Sequence, residues 1–273
     1  MSPAVLALAA AVVLAASSRT TKLLAVSFPH RQLIGPLLLL NGLLVTPLGF
    51  FSDWSASTAI VLIQLASVVT LVAGSFCMFE LFHRGSAAAV SVGQAMAPVP
   101  ALVFSFALLS APISGWQAAG VLVVTGGVLL ALGPVFGRLS RRHAIAIVVL
   151  GASLNGLLVV LTKMATDRGL GVAEIYVTRT LAAGVVACLV ARPRDIPLGA
   201  LPRLTFRSAL QTAYFVLLIL AVERGSPATV QTLVATSPLL VLGIDAAQDR
   251  ARPPLRLTCA AVGVVAGVAL AVA

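Results

Sequence analysis

Apolar residues in this chain gather into long runs, and polar residues are confined to short gaps between the runs or stand singly inside them. A helix needs about 20 apolar residues to cross the hydrocarbon core of a bilayer. Ten runs approach or exceed that length, near 3–24, 31–51, 57–81, 86–109, 114–133, 143–164, 172–191, 205–222, 226–246 and 256–273. The pattern predicts ten membrane-spanning helices with short connections. The longest polar connection runs from Arg192 to Arg207, where Pro193, Pro197 and Pro202 are expected to break any helix. The first run has Ala-Ala-Ser-Ser after its apolar core, as a signal peptide would, but Met1-Ser2-Pro3 carries no positive charge, so it is read as a retained span.

A repeat organises these runs. Arg84-Gly85-Ser86-Ala87-Ala88-Ala89-Val90, running on to Pro98, returns 140 residues later as Arg224-Gly225-Ser226-Pro227-Ala228-Thr229-Val230, running on to Pro238. The two 15-residue windows agree at seven positions. Thr21-Lys22 is echoed by Thr162-Lys163, and Gly127-Val128 by Gly267-Val268. A repeat at half the chain length means one unit has been doubled. A unit with an odd number of spans reverses its orientation in the next copy. The expected fold is therefore an all-α integral membrane protein of ten transmembrane helices, built as two inverted-topology five-helix repeats at 3–133 and 143–273. Such repeats place a site near the midplane, between the halves.

Composition and charge agree with lipid as the solvent. Of 273 residues, 60% are hydrophobic and 10% charged, against about 25% charged in soluble domains; the mean hydropathy is +1.09. The net charge of +10 is scattered between apolar runs, which excludes a nucleic-acid footprint. Fourteen Lys and Arg fall in connections 1–2, 3–4, 5–6, 7–8 and 9–10; only Arg168 and Arg224 fall on the opposite side, and Lys163 and Arg179 lie within spans. Arg19 and Lys22 are near the end of the first span, and without them the count is still twelve against two. The positive-inside rule then predicts a multi-pass protein of the cytoplasmic membrane with both termini outside.

Chemical motifs mostly exclude. HExxH, GxSxG and Walker A patterns are absent, as is any paired metal-ligand spacing, so the reading is of a protein that is not an enzyme and needs no cofactor or metal. Cys77, Cys188 and Cys259 stand alone in apolar runs and read as small packing residues. His30, His83 and His143 fall at span ends beside Arg and read as interfacial anchors.

Polar residues inside spans are costly there unless they face a cavity or a partner. Gln64, Gln94, Asn155, Tyr176, Arg179, Gln211, Tyr214 and Gln231 form the expected solute-binding set, around a cavity lined by helices 3, 4, 8 and 9. The same amides would serve equally to hold helices together. Pro98 and Pro238 predict symmetry-related kinks where gating could occur, or static bends. Lys22, Lys163, Glu80 and Glu223 are candidates for charge coupling, the acids also reading as local compensation at the interface. Gly120, Gly126, Gly127, Gly263 and Gly267 give small-residue faces suited to internal packing or to a dimer.

These residues resemble the drug/metabolite transporter superfamily in its EamA-like ten-span branch. The likeness rests on "RGSAAAV…APVPALV" and "GWQAAGVLVVTGGVLLAL" in the first half, and on "LTK", "YVTRTLAAG", "RGSPATV…TSPLLVL" and "GVVAGVAL" in the second. Lys22 and Lys163 resemble the family's first-helix Lys and its sixth-helix counterpart, and Arg179 its seventh-helix Arg. Asn41 stands where the second-helix Arg is expected, Ala111 near the place of an acid after helix 4, and Asp249 is a shifted candidate after helix 9. The resemblance implies a secondary transporter that moves a small polar or amphipathic metabolite, amino-acid or drug-like, outward by alternating access. A flippase for a lipid-linked head group is the alternative, with Lys22, Lys163 and Arg179 as its phosphate-binding candidates. Family members are described with cytoplasmic termini, whereas the charge bias here places both termini outside. The expected partners are a small-molecule substrate and the lipid bilayer, with the chain a monomer or homodimer.

Overall fold

Backbone N–H and C=O groups cannot enter hydrocarbon unpaired, so apolar runs of this length fold as helices, whose hydrogen bonds are internal. The computed structural model describes residues 1–50, 52, 54, 57–84, 95–131, 141–193, 198–241, 243 and 255–272, and no strand occurs among them. Among the described residues the main α-helices are α1 (Pro3–Ser27), α2 (His30–Gly49), α3 (Thr58–Arg84), α4 (Pro98–Leu109), α5 (Gly115–Ala131), α6 (Arg141–Thr166), α7 (Val172–Ala191), α8 (Leu201–Arg224), α9 (Pro227–Val234) and α10 (Leu255–Val272). Six described helices are long and apolar enough to cross a membrane: Pro3–Ser27, Gln32–Gly49, Thr58–His83, Ile145–Thr166, Val172–Ala191 and Leu201–Arg224. The expected Gln94, and the whole first Arg-Gly-Ser turn beyond Arg84, lie outside the described residues.

Proline sets several helix starts. Pro3 and Pro227 sit in the first turns of α1 and α9, behind Ser2 and Ser226, whose hydroxyls accept from the N–H groups of Val5 and Thr229. A first-turn proline loses nothing, because its missing N–H would have no helical partner anyway. The same logic corrects one expectation. Pro202 does not extend the connection; it lies in the first turn of α8, which therefore begins at Leu201 and carries Arg203 and Arg207 inside the helix. Pro98 begins α4, directly after a turn at 95–97, and the residues before that turn lie outside the described ones. Pro238 follows a comparable break at 235–236, after which helix resumes at 237–241.

The closest packing joins helices from opposite halves of the chain: α5 on α10, α2 on α7, α1 on α8 and α3 on α6. Each pair runs antiparallel. Ser17 lies against Gln211 and Met1 against Arg224 in α1–α8. Gly74 faces Leu154 and Gly151 faces Cys77 in α3–α6; Gly35 faces Cys188 and Gly184 faces Leu39 in α2–α7. In α5–α10, a Cβ at Gly267 would come within 2.6 Å of the Val124 nitrogen and 2.7 Å of the Gly120 oxygen, while one at Gly127 would come within 3.0 Å of the Ala260 oxygen. The small-residue faces of these two helices thus press backbone on backbone inside the chain. Large apolar side chains such as Leu65, Leu122, Leu189 and Val262 point outward, more than half exposed, as a lipid-facing surface requires.

Candidate functional site

Small polar side chains on α1 and bulky ones on α3 and α8 leave a gap between the helices. The gap is a cavity of about 100 Å³, lined from α1, α2, α3, α6 and α8. That is room for several waters or the polar part of a small solute. Helices 3 and 8 contribute as expected; among the described residues α1, α2 and α6 supply the other walls, and Gln94 of the anticipated helix 4 lies outside those residues. The walls are mixed. Ser17, Ser18, Thr21, Asn41, Thr70, Asn155 and Gln211 give neutral polar groups; Phe79, Phe82, Tyr214 and Phe215 give rings; Arg207 is the charged member among the described lining residues.

The cavity lies off-centre. It is bordered by Leu14–Thr21 in α1 and Thr70–Phe82 in α3, toward their ends, and by Ile34–Asn41 in α2 and Arg207–Phe215 in α8, toward their starts. It therefore occupies the half of the bundle next to the first and seventh connections. At the other end, Arg224 Nη1 donates to the Met1 carbonyl at 3.2 Å and Lys163 Nζ to the Glu223 carbonyl at 3.3 Å, drawing α1, α6 and α8 together.

Arg207 is 7% exposed. Its Nε donates to Thr21 Oγ1 at 3.0 Å and its guanidinium lies 5.6 Å from the Phe79 ring centre. The Thr21 hydroxyl gives its one proton to the Ser17 carbonyl, so a lone pair remains for the arginine. Arg179, 1% exposed on α7, repeats the arrangement. Its Nη1 donates to Thr162 Oγ1 at 2.8 Å, Thr162 donates to the Leu158 carbonyl, and the guanidinium lies 5.7 Å from the Phe215 ring centre. The two pairs sit toward opposite ends of the bundle. Thr21 lies beside the start of α8, whereas Lys163, next to Thr162, reaches the end of α8.

Tyr176 is fully buried, its hydroxyl 3.2 Å from Thr212 Oγ1, which in turn donates to the Asn41 carbonyl at 3.3 Å; the tyrosine is thereby the donor of the first bond. The Asn41 side chain is 1% exposed, and both its amide atoms lack a partner where it borders the cavity. Ser17 Oγ donates to Gln211 Oε1 at 2.7 Å across the α1–α8 wall.

Of the expected solute-binding residues, Asn155, Gln211 and Tyr214 line the cavity. Tyr176 and Arg179 are buried one layer behind it, against Phe215, with ring centres 5.8 Å apart for Tyr176 and Phe215. Gln64 and Gln231 lie outside the lining, each with at least one buried amide atom unpartnered. Lys22 and Lys163 share a pattern: each donates to a backbone carbonyl 60 residues onward, Phe82 at 2.8 Å and Glu223 at 3.3 Å. Lys163 also pairs with Asp167 at 2.9 Å, and Glu223 is exposed. Reasoning from sequence missed Arg207, which was counted among loop charges, and did not rank Asn41 among the binding residues. Reading Pro202 as a helix start would have placed Arg207 two turns inside α8.

The family model described as the EamA-like transporter family matches residues 1–133 and again 142–273. One solved crystal structure, titled only as that of a protein, aligns at 17% identity with a TM-score of 0.74, covering 98% of this chain and 94% of that chain. At that identity the likeness concerns the fold alone. No curated protein matches the sequence.

Proposed function

The chain belongs to the EamA-like transporter family of the drug/metabolite transporter superfamily, and from that premise we propose that it carries a small polar or amphipathic metabolite across the cytoplasmic membrane by alternating access, in the direction of export. The single observation that carries this reading is the cavity between α1, α2, α3, α6 and α8, polar inside and displaced toward one end of the bundle. A displaced cavity with the far end drawn shut is what one state of an alternating-access cycle requires.

The two halves supply the second state. The packing pairs exchange among themselves when every helix is advanced by five: α1–α8 becomes α6–α3, α4–α6 becomes α9–α1, and α2–α7 and α5–α10 map onto themselves. Together with the antiparallel run of each pair, this supports two inverted five-helix units that can swap conformations. Rocking would then close the cavity at the Thr21 end and open its counterpart at the Thr162 end. The helix breaks before Pro98 and Pro238 are the gating elements in this reading. A flippase would need clustered Lys and Arg for lipid phosphate, and Lys22, Lys163 and Arg179 all stand outside the lining.

Flux measured in proteoliposomes tests the site. Gln211→Ala removes the acceptor for Ser17 and one wall of the cavity, and should lower kcat/KM about five- to tenfold, the worth of roughly one hydrogen bond. Leu189→Ala, on the lipid face, should leave it unchanged. Unaltered flux through the Gln211 variant would remove this cavity from the path.

A further inference from the structure

On the reading of the chain as a solute transporter, we infer that its solute bears a compact oxyanion, that Arg207 receives this group in the conformation described, and that Arg179 is the corresponding station when the bundle opens at the other end.

A guanidinium keeps its charge and offers five N–H donors in a planar fork. Inside a membrane bundle such a group is tolerated where it is paired or faces a cavity. Arg207 and Arg179 are both more than nine-tenths buried, yet among the described residues no carboxylate lies within ion-pair distance of either. Each has one threonine hydroxyl and one aromatic ring. One hydrogen bond and one ring contact leave most of each fork, and the whole charge, for something else. Arg207 lines the cavity, and Asn41 borders it with an amide donor and an amide acceptor that are both buried without a partner. A bidentate oxyanion on the fork would neutralise the charge, with a neighbouring hydroxyl or amide of the solute engaging Asn41.

Arg179 is shut off from the cavity by Phe215, whose ring lines the cavity and also underlies the Arg179 guanidinium. Its threonine, Thr162, is the second-half counterpart of Thr21 and lies toward the other end of α8. Opening the bundle at that end would uncover Arg179 as Arg207 is covered. The anion then finds a cation on either side of the crossing.

The test uses the full chain in proteoliposomes of known orientation. Acetate, lactate and succinate are compared with lactamide, and inorganic phosphate forms a separate arm. The expected result is saturable uptake of a carboxylate or of phosphate, whichever oxyanion fits, that lactamide neither shares nor inhibits. Arg207→Gln should raise KM at least tenfold for entry from the cavity side with a smaller change in kcat, Arg207→Lys should recover part of it, and Arg179→Gln should raise KM for entry from the opposite side. Asn41→Leu, measured alongside and checked for an unchanged melting temperature, should also weaken entry from the cavity side. Equal transport of lactamide and lactate, or an unchanged KM in Arg207→Gln, overturns the anion assignment. If neutral solutes move and Gln211→Ala slows them, transport stands and only the anion inference falls; if nothing in the panel or among neutral metabolites moves, both fall.

Discussion

Thr21 and Thr162 do one job twice. Each spends its proton on the carbonyl four residues back and turns a lone pair to a buried arginine. Thr162→Val should therefore leave Arg179 without its hydrogen bond at unchanged side-chain shape, costing about 1–3 kcal/mol, read as a lower melting temperature in detergent; Thr162→Ser should restore most of it. The Thr-Lys echo was legible in the sequence because it is a local pattern. Arg207 was not, since a charge near a run of prolines reads as a loop residue until the start of α8 is known. Nor was the sorting of Gln211 into the cavity and Gln231 out of it, because two amides in apolar runs look alike and only their neighbours differ.

Helices here meet where side chains are absent. A Cβ at Gly156 would come within 2.7 Å of the Ala101 nitrogen and 3.0 Å of the Ala97 oxygen, so α4 touches α6 through backbone that cannot step aside. Gly156→Leu should destabilise the fold by about 1–3 kcal/mol or more, whereas the same change at Gly126, where a Cβ would meet nothing within 4 Å, should be tolerated; thermal unfolding of the two variants compares them directly. The glycine faces on α5 and α10 were visible as spacing, and that spacing was compatible with a dimer. Their use inside the chain became evident only from the partner atoms. The prolines behave alike in this respect: Pro98 was readable as a disruption, but whether it bends a helix or starts one depends on the turn before it. If the break before Pro238 flexes during gating, Pro238→Ala should slow turnover about severalfold while KM stays within twofold, because a proline missing from the first turn costs little stability but restores continuity; single-turnover and steady-state flux separate the two.

Across the whole molecule, charge asymmetry survives the corrections. Arg19, Lys22, Arg203 and Arg207 lie inside helices beyond their first or last two residues, and fourteen less these four leaves ten basic residues on one side against two on the other. The cavity borders that same basic side. A C-terminal reporter active only outside the cytoplasm should give signal, and a protease added to intact cells should remove a C-terminal tag; a tag protected in intact cells would reverse the orientation. The apolar pattern by itself determined that this is a multi-pass helical membrane protein, and the internal echoes suggested its two units, because lipid leaves a backbone of this hydrophobicity little choice but the helix and a duplicated unit repeats its local motifs. Which helices surround the cavity, which arginine enters it and which glycines carry the packing were decided by tertiary structure. Those properties depend on contacts between residues nearly two hundred positions apart, such as Arg207 with Thr21 and Gln211 with Ser17, and no local pattern encodes them.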